Sequence, residues 1–345
     1  MYSSLAAAVC KGDNCHLGNR GLSRLPLEVC KQTDIKQLDL QMNRLKDLPK
    51  EVAALKALTH LNLIGNQLKN LPVVICKLKK LRYLYINDNH LTKLPMELKE
   101  LKDLQVFRLL GNNFKNFPAV LTKMVSLAEL TISMNKLQHI PSSISSLKRL
   151  TELDLTENEL VRLPDEICDL QNLRRLLVSH NNLTSIPKMV DKLKKLHVLA
   201  LDHNRIKQLP DTICEITSLK IINVSDNRLT SLPAFFFTKL KKLQVYRFSG
   251  NELDQPPQHA LEGGLKMLRE YEKESLKGSD NSSECYHKMS SLNKNDEESK
   301  LKSPKPQPDP SSDDADVGTK RSVNPDSADR DAKRFKAEQP GDVSK

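Results

Sequence analysis

No stretch of this sequence approaches the ~18–20 consecutive apolar residues that a membrane-spanning helix needs. The opening Met1-Tyr2-Ser3-Ser4-Leu5-Ala6-Ala7-Ala8-Val9 has no basic start and only a short apolar run, so no secretory leader is expected. Tyr2 stands where myristoylation would require glycine, and no C-terminal lipidation box is present. Three motifs of catalytic or nucleotide-binding chemistry are also missing: GxxxxGKS/T, HExxH and GxGxxG. These absences argue against a membrane protein, a secreted protein and the common nucleotide and metalloprotease chemistries. Only 38% of the 345 residues are hydrophobic, below the usual ~45–50%.

That low average hides two unlike regions. Residues 273–345 hold 14 basic and 15 acidic residues but only 7 Leu, Ile, Val or Phe. Such a stretch cannot bury enough apolar surface to offset the entropy of ordering, so it is expected to be a disordered polar tail. The overall charge of +11 then places 40 basic and 28 acidic residues, net +12, in residues 1–272. Those residues are expected to form the folded domain.

Within them lies an internal repeat. Asn43, Asn66, Asn89, Asn112, Asn135, Asn158, Asn181, Asn204 and Asn227 recur every 23 residues, and the prolines from Pro26 to Pro233 keep the same spacing. Asn251 and Pro257 then fall at 24, which places a one-residue insertion most simply within Ala234-Phe235-Phe236-Phe237. The unit reads LxxLxxLxLxxNxLxxLPxxI; one copy is Leu55, Leu58, Leu61, Leu63, Asn66, Leu68, Leu71, Pro72 and Ile75.

The LxL segment alternates, which is strand periodicity. One such strand is unstable alone, but stacked at ~4.8 Å the strands form a parallel sheet with a shared core. The asparagine amide is placed to satisfy backbone groups of the turn on its own and the next coil. Leu-Pro fixes the return path. The last apolar position (Val52, Ile75, Leu98, Leu121, Ile144, Ile167, Val190, Ile213) packs the convex side.

Over roughly residues 15–257 these residues resemble the leucine-rich repeat superfamily. They are most similar to its 23-residue LxxLP class of intracellular scaffolds, which includes the Scribble/Erbin, Ras-suppressor and plant Ras-group proteins. The resemblance implies an α/β solenoid, a leucine-rich repeat horseshoe of about eleven coils with a concave parallel β-sheet, short terminal caps and a disordered C-terminal tail. The first coil, ending at Pro26, is degenerate, with Arg20 in place of asparagine. Ser3 to Lys11 is expected to form a short capping helix with a serine N-cap. The spacing of Ala260, Leu261, Leu265, Leu268 and Tyr271 suits a helix closing the last coil, weakened at Gly263-Gly264.

Cys30, Cys76, Cys168 and Cys214 share one column, two or four coils apart. Their closest spacing of ~10 Å exceeds the ~7 Å reach of a disulfide, so they are expected to be buried, reduced hydrophobes, as in a cytosolic or nuclear protein. Cys10 and Cys15 are close enough in sequence to meet near the first cap, where a bridge would be incidental. Glu157, His180, His203 and Asp226 occupy the column before asparagine on successive coils. Polar residues on an exposed turn edge account for them, and no metal, cofactor or catalytic residue is assigned.

The residues flanking the strand leucines have no structural duty. Ile64, Tyr83, Tyr85, Val106, Arg108 and Leu110 fall on three adjacent strands, beside an acidic strip of Glu129, Glu152 and Asp154. Tyrosine, arginine and aliphatics in one patch are the composition of a binding hot spot. The function expected is therefore a non-enzymatic scaffold or adaptor, expected to be a monomer, that holds a protein partner on its concave face in intracellular signalling. A basic edge (Lys79-Lys80, Lys148-Arg149, Lys194-Lys195, Lys241-Lys242) offers a less favoured alternative, a nuclear factor contacting nucleic acid or chromatin. Aromatic residues do not interleave with it. In the tail, Lys320-Arg321 and Lys333-Arg334-Phe335-Lys336 flank an eleven-residue spacer. Lys320, Arg321, Lys333, Arg334 and Lys336 resemble a bipartite nuclear-import signal, which implies an import carrier as partner and residence in both nucleus and cytoplasm.

Overall fold

A computed structural model describes residues 10–275. It divides into two units at Pro257. Within the first, twelve strands among the described residues form one sheet in strict sequence order. They are β1 (Cys10–Lys11), β2 (Asn14–His16), β3 (Gln37–Asp39), β4 (His60–Asn62), β5 (Tyr83–Tyr85), β6 (Val106–Arg108), β7 (Glu129–Thr131), β8 (Glu152–Asp154), β9 (Arg175–Leu177), β10 (Val198–Ala200), β11 (Ile221–Asn223) and β12 (Val245–Arg247). From β2 to β12 all pairing is parallel, giving the eleven coils that the repeat implies.

Register follows the leucines. Leu38, Leu61, Leu84, Phe107, Leu130 and Leu153 are successive Cα partners and all are buried. Their alternate neighbours face the other side of the sheet, as a period of two requires. After most of the repeat prolines the return path makes a short 3₁₀ turn, for example Lys50–Ala54, Val73–Lys77 and Asp211–Glu215. The proline opens the turn because its own fixed φ is already suitable and its carbonyl accepts the first turn bond, from Val52 N–H at 3.1 Å and Ile75 N–H at 3.1 Å. The convex column from Val52 to Ile213 is buried throughout.

The asparagines do what the sequence suggests, with one difference of direction. Asn66 Nδ2 donates to the carbonyls of Leu63 (3.0 Å) and Ile64 (3.3 Å) on its own coil and of Leu40 (2.9 Å) on the coil before; its Oδ1 accepts from Leu45 N–H at 3.0 Å. The bonds reach back to the preceding coil rather than forward. Each amide thus stitches two rungs together and satisfies buried backbone groups that the tight turn leaves unpaired.

Just before each asparagine the chain turns through left-handed backbone. Met42, Asp88, Met134, Glu157, His180, His203 and Asp226 all have φ between 52 and 54°, with Gly65, Gly111 and Gly250 in the same column. This conformation costs a non-glycine residue roughly 1–2 kcal/mol. At Gly65 and Gly111 a side chain would meet Met42 and Asp88 of the coil before, so there glycine also leaves room.

The inserted residue is absorbed where expected. Phe235 adopts φ 62°, and a four-residue helix, α2 (Phe236–Lys239), replaces the 3₁₀ turn; the only earlier α-turn is α1 (Leu27–Cys30) among the described residues. Ile221 then pairs with Val245, 24 residues on.

The ends differ from expectation. Cys10 and Lys11 are not helical but form a hairpin with β2, in antiparallel register Cys10 to Cys15, and the two cysteines are joined by a disulfide. Alternation around the Gly12 turn, with its φ of 56°, favours that hairpin over a helix. The remainder of the proposed helix, from Ser3, lies outside the described residues. In the second unit α3 (Gln258–Glu262) and α4 (Gly264–Ser275) form the expected helix in two pieces, broken at the glycine pair where Gly264 takes φ 78°. Helix α4 runs past the boundary at 272 that composition suggested. The tail's proposed import signal (Lys320, Arg321, Lys333, Arg334, Lys336) lies outside the described residues.

The cysteine column is as inferred: Cys30, Cys76, Cys168 and Cys214 are buried and not disulfide-bonded. Burial pushes the Cys30 and Cys76 thiols up to about 11 and that of Cys168 to about 12, aided by nearby carboxylates. They are packing groups rather than nucleophiles, since the thiolate is the reactive form.

Candidate binding surface of the concave sheet

The sheet register places Tyr83 beside His60 and Val106, and Tyr85 beside Asn62 and Arg108. The rings use this spacing. His60 stacks on Tyr83 with centroids 4.2 Å apart and planes within 10°. Arg108 Cζ lies 5.4 Å from the Tyr85 ring centroid, a cation–π arrangement. A row of His60, Tyr83, Tyr85 and Arg108 thus forms one continuous, half-buried surface across β4–β6. Burial raises the Tyr85 hydroxyl above its ordinary range, with Arg108 opposing. His60 is lowered, first by burial and then by the charge of Arg82, which favours a neutral ring for stacking.

The expected site residues divide. Tyr83, Tyr85, Arg108 and Leu110 remain half-buried and available. Ile64 and Val106 are each only 6% exposed, so they support the rings rather than present themselves to a partner. Neighbouring rungs close over short aliphatic side chains but not over long rings.

The acidic strip is also less acidic than its residues suggest. Glu129 Oε2 lies 3.6 Å from Arg108 Nη2, and Glu152 Oε2 lies 3.1 Å from Arg175 Nε. Each glutamate is paired with an arginine one strand away. Glu152 is raised, chiefly by burial, with Arg175 pulling the other way. The Arg175–Glu152 contact is an ion pair, and Arg175 Nε and Nη2 are buried without a hydrogen-bond partner among the described residues.

A second stretch of the same face lies beyond the residues singled out from the sequence. Leu177, Val198, Ala200, Ile221 and Val245 continue the columns across β9–β12 as an aliphatic strip, mostly buried. The same alternation that located Tyr83 would have found it.

The turn edge brings together residues that the sequence placed in one column plus one more. His180 and His203 stack with centroids 4.1 Å apart. Asp202, which lies outside that column, joins them, and the ligand-capable atoms of the three lie within 4.8 Å of one another. The basic edge is partly neutralised: Lys79 Nζ lies 3.6 Å from Glu100 of the next rung and Lys194 Nζ 3.9 Å from Asp191 of its own rung.

A family model of leucine-rich repeat regions matches residues 25–139 and 165–314, and a second leucine-rich repeat model matches residues 125–183. The chain belongs to the leucine-rich repeat family. It is similar to a leucine-rich repeat protein of Leptospira interrogans, with 29% identity, a TM-score of 0.54 and coverage of 72% of this chain and 74% of that one. It is also similar to a TDR receptor (26% identity, TM-score 0.65, 73% of this chain, 45% of that one). A third likeness is to the Arabidopsis receptor kinase HAESA in complex with the peptide hormone IDA and the co-receptor SERK1 (26% identity, TM-score 0.60, 70% and 46%). The chain spans less than half the length of these two receptor chains. No curated protein sequence matches. Proteins of this fold are typically non-enzymatic modules for protein–protein interaction. Among the described residues no helix is long and apolar enough to cross a membrane.

Proposed function

We propose that this protein is a scaffold or adaptor of the LxxLP class, holding a protein partner on its concave face in intracellular signalling. The observation that carries the reading is the joined surface of His60, Tyr83, Tyr85 and Arg108, with ring stacking at 4.2 Å and the guanidinium 5.4 Å from the Tyr85 centroid. Nothing in the repeat requires tyrosine at both flanking positions of one strand. Large, pre-positioned amphipathic rings give binding energy at small entropic cost. The likeness to receptors solved with peptide hormones favours a polypeptide ligand. The partner that fits offers an apolar side chain to the tyrosines.

In this reading the solenoid acts as a monomer, and the pair of basic clusters in the polar sequence after helix α4 engages an import carrier and shares the protein between nucleus and cytoplasm. The alternative of a nucleic-acid or chromatin factor acting through the basic edge is less well supported, because acidic residues already offset Lys79 and Lys194, and aromatic residues do not interleave with it.

The test is affinity capture with the full chain against the Tyr83→Ala, Tyr85→Ala double variant. A partner whose affinity falls ~10²-fold or more in the variant supports the proposal. Equal recovery of every partner overturns it. Retention on nucleic acid that falls steeply with salt would favour the alternative.

A further inference from the structure

We propose that His180, Asp202 and His203 form a binding site for a divalent zinc-class cation on the turn edge. Their ligand-capable atoms already lie within 4.8 Å of one another. Two ligands of a tetrahedral ion at ~2.1 Å stand roughly 3.4 Å apart, so closure asks for side-chain movements of about 1 Å. The backbone beneath is fixed. His180 N–H donates to Asp202 O at 2.9 Å, His203 N–H to Ser225 O at 3.0 Å, and Asn181 and Asn204 N–H groups reach the carbonyls of His203 and Asp226. The same left-handed φ, 54° and 53°, starts both histidines in the same direction from adjacent rungs. Their exposed rings have room to turn from the stacked arrangement towards a shared ion.

Surrounding groups fit a cation. The Ser179 hydroxyl donates to Asp202 Oδ1, which orients the carboxylate and leaves its other oxygen for a ligand. Asp226 Oδ2 lies 3.4 Å from His203 Nε2 and is placed either to orient that ring or to add a fourth donor. A carboxylate behind a ligating histidine is a common way to fix its tautomer. Glu157 occupies the same column one rung before His180. Two imidazoles and a carboxylate select a zinc-class ion over magnesium or calcium, which prefer all-oxygen sets. Three protein ligands leave a coordination position open on the surface, where a partner's side chain has access to it.

The test is calorimetric titration of metal-free full-length protein with zinc chloride, beside the His180→Gln, His203→Gln double variant and the Asp202→Asn variant. Unfolding curves confirm that each variant is folded. Cobalt(II) gives a second readout through its visible d–d bands, whose intensity reports the coordination geometry. The expected result is a saturable equivalent of zinc in the wild type, weakened at least ~10-fold by Asp202→Asn and abolished in the double variant, with no comparable magnesium binding. Zinc uptake unchanged in the double variant, or no saturable uptake by the wild type, overturns the site.

Discussion

The asparagine column and the concave face are built on the same coils, yet their residues are constrained in opposite ways. At the asparagine, one side chain meets four backbone groups on two rungs, and substitution removes all of those bonds together. Four residues earlier, on the concave side, the coil asks less but not nothing, contrary to the sequence expectation: Asp39, Asn62, Asp154 and Asn223 each accept a hydrogen bond from the backbone N–H two residues on, while the same position also takes Tyr85, Arg108, Thr131, Leu177, Ala200 and Arg247. Regularity therefore marks what holds the solenoid together, and departure from regularity marks where function is written.

The largest effects are expected in the framework. Asn135→Ala leaves the carbonyls of Leu109, Ile132 and Ser133 and the N–H of Phe114 without their partner, and should lower unfolding free energy by about 3 kcal/mol in urea titration. Leu130→Ala, fully buried in the sheet, should cost a similar ~3 kcal/mol, through lost burial and a residual cavity. An Asn135 variant as stable as wild type would erase the contrast between the two regions.

Next in size comes a kinetic prediction. Burial holds the Cys30, Cys76 and Cys168 thiols at about 11 to 12. At pH 8 the folded protein should react with a thiol reagent at these positions orders of magnitude more slowly than the urea-unfolded chain. A raised thiol favours the folded state fully below its unfolded value near 9, and this advantage is lost as pH rises through 11 to 12. Stability should therefore fall across that alkaline range. Rapid labelling of folded Cys168 would show that the coils open locally.

The smallest effect sharpens the comparison from the other side. Met134 pays for a left-handed φ of 52° while its side chain is 47% exposed. Met134→Gly should raise stability by up to about 1 kcal/mol, measured by the same unfolding titration. A loss of that size would mean that the side chain contributes packing across the turn edge.

The fold was legible because the repeat reports its own period: leucine columns give register, asparagine and proline give the turn and the return, and the extra residue near Phe235 declares itself as a spacing of 24. The surface was legible only in part. Alternation says which side of the sheet a residue faces, but not how far its neighbours close over it, so Ile64 and Val106 read as exposed and are buried. Nor does it say which charges pair across rungs. Arg108 with Glu129 and Arg175 with Glu152 are 21 and 23 residues apart, in different repeats, and together they quench a strip that reads as acidic. Asp202 was missed beside His180 and His203 because it belongs to the neighbouring column, and only the left-handed turn brings it alongside. The hairpin at Cys10 was hidden by an alanine-rich stretch that favours a helix on local propensity.

The claim at the centre is that recognition and stability occupy separate residues of the same coil. It is tested most directly by measuring the affinity of a captured partner for Tyr83→Ser, Tyr85→Ser, Arg108→Ser protein whose unfolding is followed in parallel. The account predicts unfolding free energy within about 1 kcal/mol of wild type and affinity reduced ~10²-fold or more. Undiminished affinity, or a chain that no longer folds, would contradict it.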